Sequence, residues 1–307
     1  MVMSDQLLDL ASVRTFLSRR FPAVEELRRF PRGEWSSAFG FRAAGRELVV
    51  RFGGYREDYA KDRSAASWAG PDLPIPRVLD VGRAFDGLIY AVSERARGVD
   101  LDSLDGRGFG RILPALFRAL DALQAVDPPG SGYGLWRADD GSAPYPTWSE
   151  FLLSVAHRDD DRMRGWRTAL SSVPGAEASF DVAYAGLERL VAACPDDRRV
   201  IHGDLLAGNV LVDSDRLTGV FDWGNSLVGD PLYDVAWLTF WAPWHPAIDA
   251  TRIRAMAREL FGGSGLDERL RCYEVHIGLD AQQYNALTGR WDELARSAER
   301  TLALIGS

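Results

Sequence analysis

"VIHGDLLAGNVLVDSDRLTGVFDWGNSL", residues 200–227, gathers three polar side chains, Asp204, Asn209 and Asp222, each hard against strand-like sequence. The run "HGDLLAGN" puts Asp204 and Asn209 on one tight loop. "VLVD" and "LTGVFD" then read as a hairpin that returns Asp222 beside them. Asp and Asn are common in turns because they hydrogen-bond their own backbone. That explanation suits Asn209 alone and fits the joint pattern poorly. His202 reads as a side chain that packs and hydrogen-bonds to fix the loop, with proton carriage as the alternative.

The surrounding sequence has the same two-part character. Residues 4–19 carry Leu7, Leu10, Val13 and Leu17 at helical spacing. Strands are predicted at 35–43 and 47–52, joined by "AGR" with Gly45 at the turn, and again at 73–82 and 87–94, with a helix over 55–69. Beyond Gly98 helical patterns dominate, at about 109–126, 147–157, 180–194, 230–241, 249–261, 267–288 and 291–305, interrupted by the strand-rich patch 199–222. The Gly/Pro-rich stretch 127–146 reads as a long surface loop. The expectation is an α+β chain with a small β-rich N-terminal lobe at 1–93, a hinge at 94–99 and a larger, mainly helical lobe at 100–307.

Composition narrows the function classes. The chain has 307 residues, 46% hydrophobic and 26% charged, which is ordinary for a globular protein. No apolar run approaches the roughly 20 residues of a membrane span, and the N-terminus lacks the basic start and apolar block of a secretory signal. Cys194 and Cys272 are the only cysteines, a count that fits a reducing cytoplasm better than a disulfide framework. A net charge of −8 disfavours nucleic acid as a partner and suits a cationic ligand. No exposed apolar stripe demands a partner subunit, so a monomer is expected. Lys61 is the only lysine, so every other permanently cationic side chain is an arginine.

Phosphoryl transfer needs a carboxylate near the attacking hydroxyl, oxygen ligands for Mg²⁺ and donors around the phosphates. Mg²⁺ takes hard oxygen ligands and keeps some waters, so an Asn carbonyl and an Asp carboxylate completed by nucleotide phosphates would satisfy it. The third acid is left to accept a proton.

"HGDLLAGN" followed by "FDWGN" resembles the catalytic and metal-binding segments of the aminoglycoside phosphotransferase family, relatives of the protein kinases. The stretches "YAKDRSAASWAGPDLPIPRVLDVG", "FDWGNSLVGDPLYDVAWLTFWAPW" and "RLRCYEVHIGLD" are similar to the hygromycin B phosphotransferases within it. The resemblance implies a two-lobed, protein-kinase-like fold, ATP or GTP with Mg²⁺ as cofactors, and a small cationic antibiotic as acceptor. Other acceptors of the same fold, such as a macrolide, a choline-like molecule or a sugar amine, remain open, as does a non-catalytic nucleotide-binding role, which the joint presence of the three polar residues opposes.

By the same resemblance Asp204 is the catalytic base, while Asn209 and Asp222 hold the metal. Ser36 and Ser37, in "RGEWSSAF" (32–39), fall where the family positions nucleotide phosphates; an ordinary strand start explains them equally. The family places a lysine on the third strand, paired with an acid on the next helix. Here "LVVRF" puts Arg51 at that position, with Asp62 as the matching acid and Lys61 as a rival cation. The backbone of Glu94 and Ala96 in "AVSERARG" (91–98) corresponds to the hinge that meets adenine.

A polycationic, hydroxyl-rich acceptor calls for carboxylates, amides and aromatic faces. In the helix 267–288, Asp280 falls on the apolar stripe of Leu270, Tyr273, Ile277, Tyr284 and Leu287. It lines a ligand cavity or salt-bridges within the core, and the former is expected. Glu274 and Gln283 are nearby candidates, Asn225 follows the metal-binding aspartate, and Trp241 is the tryptophan taken from the dense run that includes Trp237 and Trp244. Asp230 and Asp234 read as supports for the catalytic loop, and Asp159–Asp161 as a solvated helix end able to steer a cation.

Overall fold

The "AGR" turn closes as its composition demands. In the computed structural model, β2 (Ser36–Ala43) and β3 (Arg46–Gly53) pair antiparallel from Ser36↔Gly53 to Ala43↔Arg46. Only Ala44 and Gly45 remain between them, both at positive φ (49° and 74°), which matches the right-handed twist of the flanking strands. The structure describes residues 8–31, 33, 35–158, 160–206, 208–262 and 265–306. Residues 4–7 of the first predicted helix, Arg32 and Glu34 of the 32–39 stretch, and Asp159 lie outside them.

The chain divides into two compact units, residues 1–100 with 208–225, and residues 101–207 with 226–307. The first is strand-rich and the second helical, as the α+β reading expects. In the first unit, β1 (Glu25–Arg29), β4 (Val78–Arg83) and β5 (Ile89–Glu94) complete a five-stranded sheet in the order β1-β2-β3-β5-β4. The helix α1 (Leu10–Ser18), capped at its start by the Asp9 carboxylate on the Ser12 amide, packs Val13, Phe16 and Leu17 with Phe39, Val50 and Phe52. The helix α2 (Arg56–Ala65) follows β3.

β1 was not expected. Its sequence, Glu-Glu-Leu-Arg-Arg, has no apolar alternation, because it is an exposed edge strand paired only with β2.

The hairpin read from "VLVD" and "LTGVFD" is present. β9 (Val210–Asp213) pairs with β10 (Arg216–Val220), and β6 (Val99–Asp100) adds to the other edge of β9. The Val220 amide donates to the Pro74 carbonyl at 2.8 Å, which ties the hairpin into the first unit.

The second unit carries eight helices among its described residues: α3 (Gly106–Gln124), α4 (Trp148–Leu153), α5 (Trp166–Ser171), α6 (Ala176–Leu190), α7 (Leu232–Trp241), α8 (Ala250–Phe261), α9 (Leu266–Thr288) and α10 (Trp291–Ile305). A small sheet runs β7-β11-β8, with β7 (Gly134–Leu135), β8 (Arg199–Ile201) and β11 (Leu227–Gly229). The 127–146 stretch is therefore not wholly a surface loop. β7 pairs with β11, and Trp136 is buried with its indole donating to Ser226 Oγ at 2.9 Å.

The apolar-stripe reading of α9 is also corrected. Leu270, Tyr273 and Ile277 are buried, but so are Cys272, Glu274, Val275, His276 and Gln283, because the helix is packed on nearly every side. Among the described residues no helix is long and apolar enough to cross a membrane.

Candidate active site

In the second unit the loop that carries Asp204 begins where β8 ends. Asp234, buried on α7, accepts the backbone N–H of His202 at 2.9 Å and of Gly203 at 2.8 Å. Gly203 has φ 80°, a left-handed conformation that lets two consecutive amides turn to one carboxylate. Burial pushes the Asp234 carboxyl up to about 7, while the two amide donors pull it the other way. His202 is buried, and its Nδ1 receives the Asp204 amide at 3.2 Å. Its ring thus braces the backbone of the half-buried Asp204. Asp230 is a second buried support. It takes Arg269 at 2.7 and 2.9 Å, the Tyr273 hydroxyl at 2.5 Å and the Leu232 amide at 3.0 Å.

In the first unit, Asn209 and Asp222 are brought side by side. Val210 faces Val220 in the hairpin, and the Phe221 amide donates to the Asn209 carbonyl at 3.1 Å. Asp222 sits at φ 67°, rare for a non-glycine residue, with its side chain 46% exposed. Arg51 extends from β3, one nitrogen paired with the Asp62 carboxylate and another 3.8 Å from Asp222 Oδ1. The second Asp62 oxygen accepts the Trp223 amide at 2.8 Å, so α2 grips the residue next to Asp222. Lys61 is buried, 1% exposed, and its ammonium donates to the Gly224 carbonyl at 3.2 Å. Arg51 thus reaches toward the Asp222 carboxylate, while Lys61 is engaged at the Gly224 carbonyl.

The remaining nucleotide candidates differ in access. Ser37 is buried in the sheet, which counts against its hydroxyl as a phosphate donor, while Ser36 is half-buried. The Glu94 amide is already engaged by the Arg77 carbonyl at 3.0 Å, and its carboxylate pairs with Arg46 at 2.8 Å. Ala96 makes no hydrogen bond among the described residues, which leaves its backbone available.

The expected acceptor residues have these surroundings, each within its own unit. Glu274 is buried and holds Arg254 at 2.5 Å, with Arg300 at 3.9 Å, which makes it a core ion pair and not a cavity wall. Asp280, its side chain 34% exposed, pairs with Arg158, which also binds Asp160 at 2.5 Å. Gln283 is buried and donates to the Val155 carbonyl. Asn225 is exposed, at the end of the first unit's second segment. Trp241 is half-buried in an aromatic cluster with Trp237, Phe240 and Trp244, at centroid distances of 5.8, 5.0 and 5.2 Å.

A cavity of about 350 Å³ in the second unit is lined by Leu206, Leu101, Asp102, Asp105, Phe109 and His245 among others. Two carboxylates and an apolar floor face it, and no arginine or lysine does. Leu206 is two residues past Asp204, so its Cα lies within about 7 Å of that of the aspartate. The cavity was missed in the sequence because its walls come from three separate segments of unremarked leucines and turn acids.

The donor set at Asn209 and Asp222, an amide and a half-exposed carboxylate, suits a hard ion that completes its shell with phosphate and water. Among the described residues no cluster of three or more histidine, cysteine, aspartate or glutamate side chains forms a protein metal cage.

Known proteins carry the same pattern. The phosphotransferase enzyme family, APH, matches residues 26–273. A hygromycin-B 4-O-kinase from Escherichia coli is 34% identical over 305 residues, 98% of this chain and 86% of that protein. A crystal structure of a thermostable mutant of aminoglycoside phosphotransferase APH(4)-Ia, in ternary complex with AMP-PNP and hygromycin B, matches with TM-score 0.85 at 34% identity, covering 96% of this chain and 98% of that one. The GDP complex of aminoglycoside 2'-phosphotransferase-IIIa shares the fold at TM-score 0.70 and 14% identity, over 97% and 99% of the two chains. The chain belongs to the APH phosphotransferase enzyme family and carries its protein-kinase-like α+β fold.

Proposed function

We propose that this protein transfers the γ-phosphoryl group of a nucleoside triphosphate to a hydroxyl of hygromycin B, and so confers resistance to it. The supporting observation is likeness along nearly the whole chain to a hygromycin-B 4-O-kinase, joined to retention of Asp204, Asn209 and Asp222.

Asp204 orients the acceptor hydroxyl and takes its proton as the oxygen bonds to the γ-phosphorus. The bond from that phosphorus to the β–γ bridging oxygen breaks, and the nucleoside diphosphate leaves. Asn209 and Asp222 would hold Mg²⁺, which would neutralise phosphate charge. Arg51 and Ser36 bind phosphate oxygens, and the backbone of Ala96 meets the base. Asp234 and His202 hold the Asp204 loop in place.

The acidic, apolar-floored cavity beside Leu206 receives the acceptor, since a polycationic ring system finds carboxylates there and no opposing cation. The protein works as a cytoplasmic monomer, where nucleoside triphosphates are supplied.

The test is an acceptor panel: hygromycin B, kanamycin, a macrolide and choline, each incubated with the enzyme and MgATP or MgGTP and followed by mass spectrometry. Gain of one phosphoryl group by hygromycin B alone is the expected result. Modification of another member of the panel, with hygromycin B untouched, would move the reading to that acceptor.

A further inference from the structure

Arginine at the strand position where the family uses lysine poses a geometric problem. An ammonium is a point charge and acts in any rotation, whereas a guanidinium is a planar fork that must be aimed. Two edges of the Arg51 fork meet carboxylates, Asp62 on one side and Asp222 at 3.8 Å on the other. The group also sits over an aromatic ring: the guanidinium carbon lies 5.2 Å from the centroid of the Tyr59 ring on α2.

Tyr59 is buried, and burial raises its ionisation well above the usual phenol range, so the ring stays neutral beside Asp58 and Asp222. Its hydroxyl makes no hydrogen bond among the described residues, so the side chain serves as a ring. The ring can lie there because β3 ends in Gly53. A Cβ at that position would stand 2.6 Å from the Tyr59 hydroxyl and 3.2 Å from the Trp35 carbonyl. Tyr59 precedes Asp62 by three residues, which puts both on the helix face turned to Arg51.

We propose that Tyr59 is a positioning residue, whose buried ring fixes the plane of the Arg51 guanidinium so that the fork presents to the nucleotide phosphates. This rests on the reading of the first unit as the nucleotide site. The glycine, the ring and the guanidinium form one device, and an ammonium at position 51 would offer the ring no plane to fix.

The experiment is a double-mutant cycle on the full-length enzyme, read by MgATP affinity in calorimetry and by KM for ATP and for hygromycin B. Tyr59→Ala weakens MgATP binding and raises KM for ATP about fivefold, the scale of an ordinary cation–π contact, with KM for hygromycin B unchanged. Tyr59→Phe stays within about twofold of wild type, because the ring and not the hydroxyl acts. In the Arg51→Lys background the same Tyr59→Ala change alters affinity by less than about twofold. Tyr59→Leu keeps apolar volume without the ring face and gives the same loss should the alanine variant fail to fold.

An equal loss in both backgrounds, or a folded Tyr59→Leu protein with wild-type affinity, would overturn the proposal. Wild-type protein that binds no MgATP would instead overturn the nucleotide-site reading, and this proposal with it.

Discussion

At the scale of single residues, the site depends on what stands behind Asp222. Gly224 has no room for a side chain: a Cβ there would stand 2.8 to 3.0 Å from the Asp58 side chain. Gly224→Ala therefore displaces the segment that carries Asp222 and lowers kcat, by about tenfold or more if the shift approaches 1 Å, while the protein stays folded by circular dichroism. Arg51 and Lys61 separate along the same logic. Arg51→Ala weakens MgATP binding by about tenfold or more, since charge-assisted contacts to phosphate are lost. Lys61→Ala removes a buried ammonium from the Gly224 carbonyl, and its larger effect is a fall in melting temperature. A large affinity loss confined to Lys61→Ala would reverse that assignment.

The sequence singles out candidates here where polar residues sit against strands, as at Asp204, Asn209, Asp222 and Arg51. It does not distinguish the alternatives at Glu274 and Asp280. An acid on the inward side of a helix looks alike whether a ligand or a distant arginine satisfies it, and Arg158 lies 122 residues from Asp280.

At the scale of elements, α7 holds the loop that carries Asp204 through one carboxylate. Asp234 has a folded pKa of about 7, above the value of 3.8 it would have when exposed. Folding therefore takes up a proton at this group between those values. Its contribution to stability is fully present below about pH 4 and is lost as pH rises through about 7. The stability difference between wild type and Asp234→Asn, measured by urea unfolding, should shrink from pH 5.5 to pH 8.5. A difference that grows with pH would contradict this. The same variant leaves the two loop amides one good acceptor fewer, so kcat falls while MgATP affinity holds.

Elements with strong periodicity or a turn signal, such as β2, β3, α8 and α10, could be read directly. β1 and β7 could not. Four charged residues around a lone Leu27 become a strand only because β2 offers an open edge, and the residues Gly134–Leu135 become one because β11 lies alongside. Pairing across the chain, and not local propensity, makes both.

At the scale of the whole molecule, the acidic balance and the kinase-like fold point the same way. A net charge of −8 draws a polycationic acceptor toward the protein at low ionic strength, so kcat/KM for hygromycin B should fall as salt rises from 50 to about 500 mM. A salt-independent kcat/KM would remove that role from the surface charge.

The account stands most directly on Asp204. The decisive measurement compares wild type and Asp204→Ala for phosphorylation of hygromycin B by mass spectrometry, with MgATP binding measured on the same samples. Full nucleotide binding with turnover reduced at least about a hundredfold is the result predicted for a lost proton acceptor. A variant that binds MgATP and keeps more than about a tenth of wild-type kcat would contradict it.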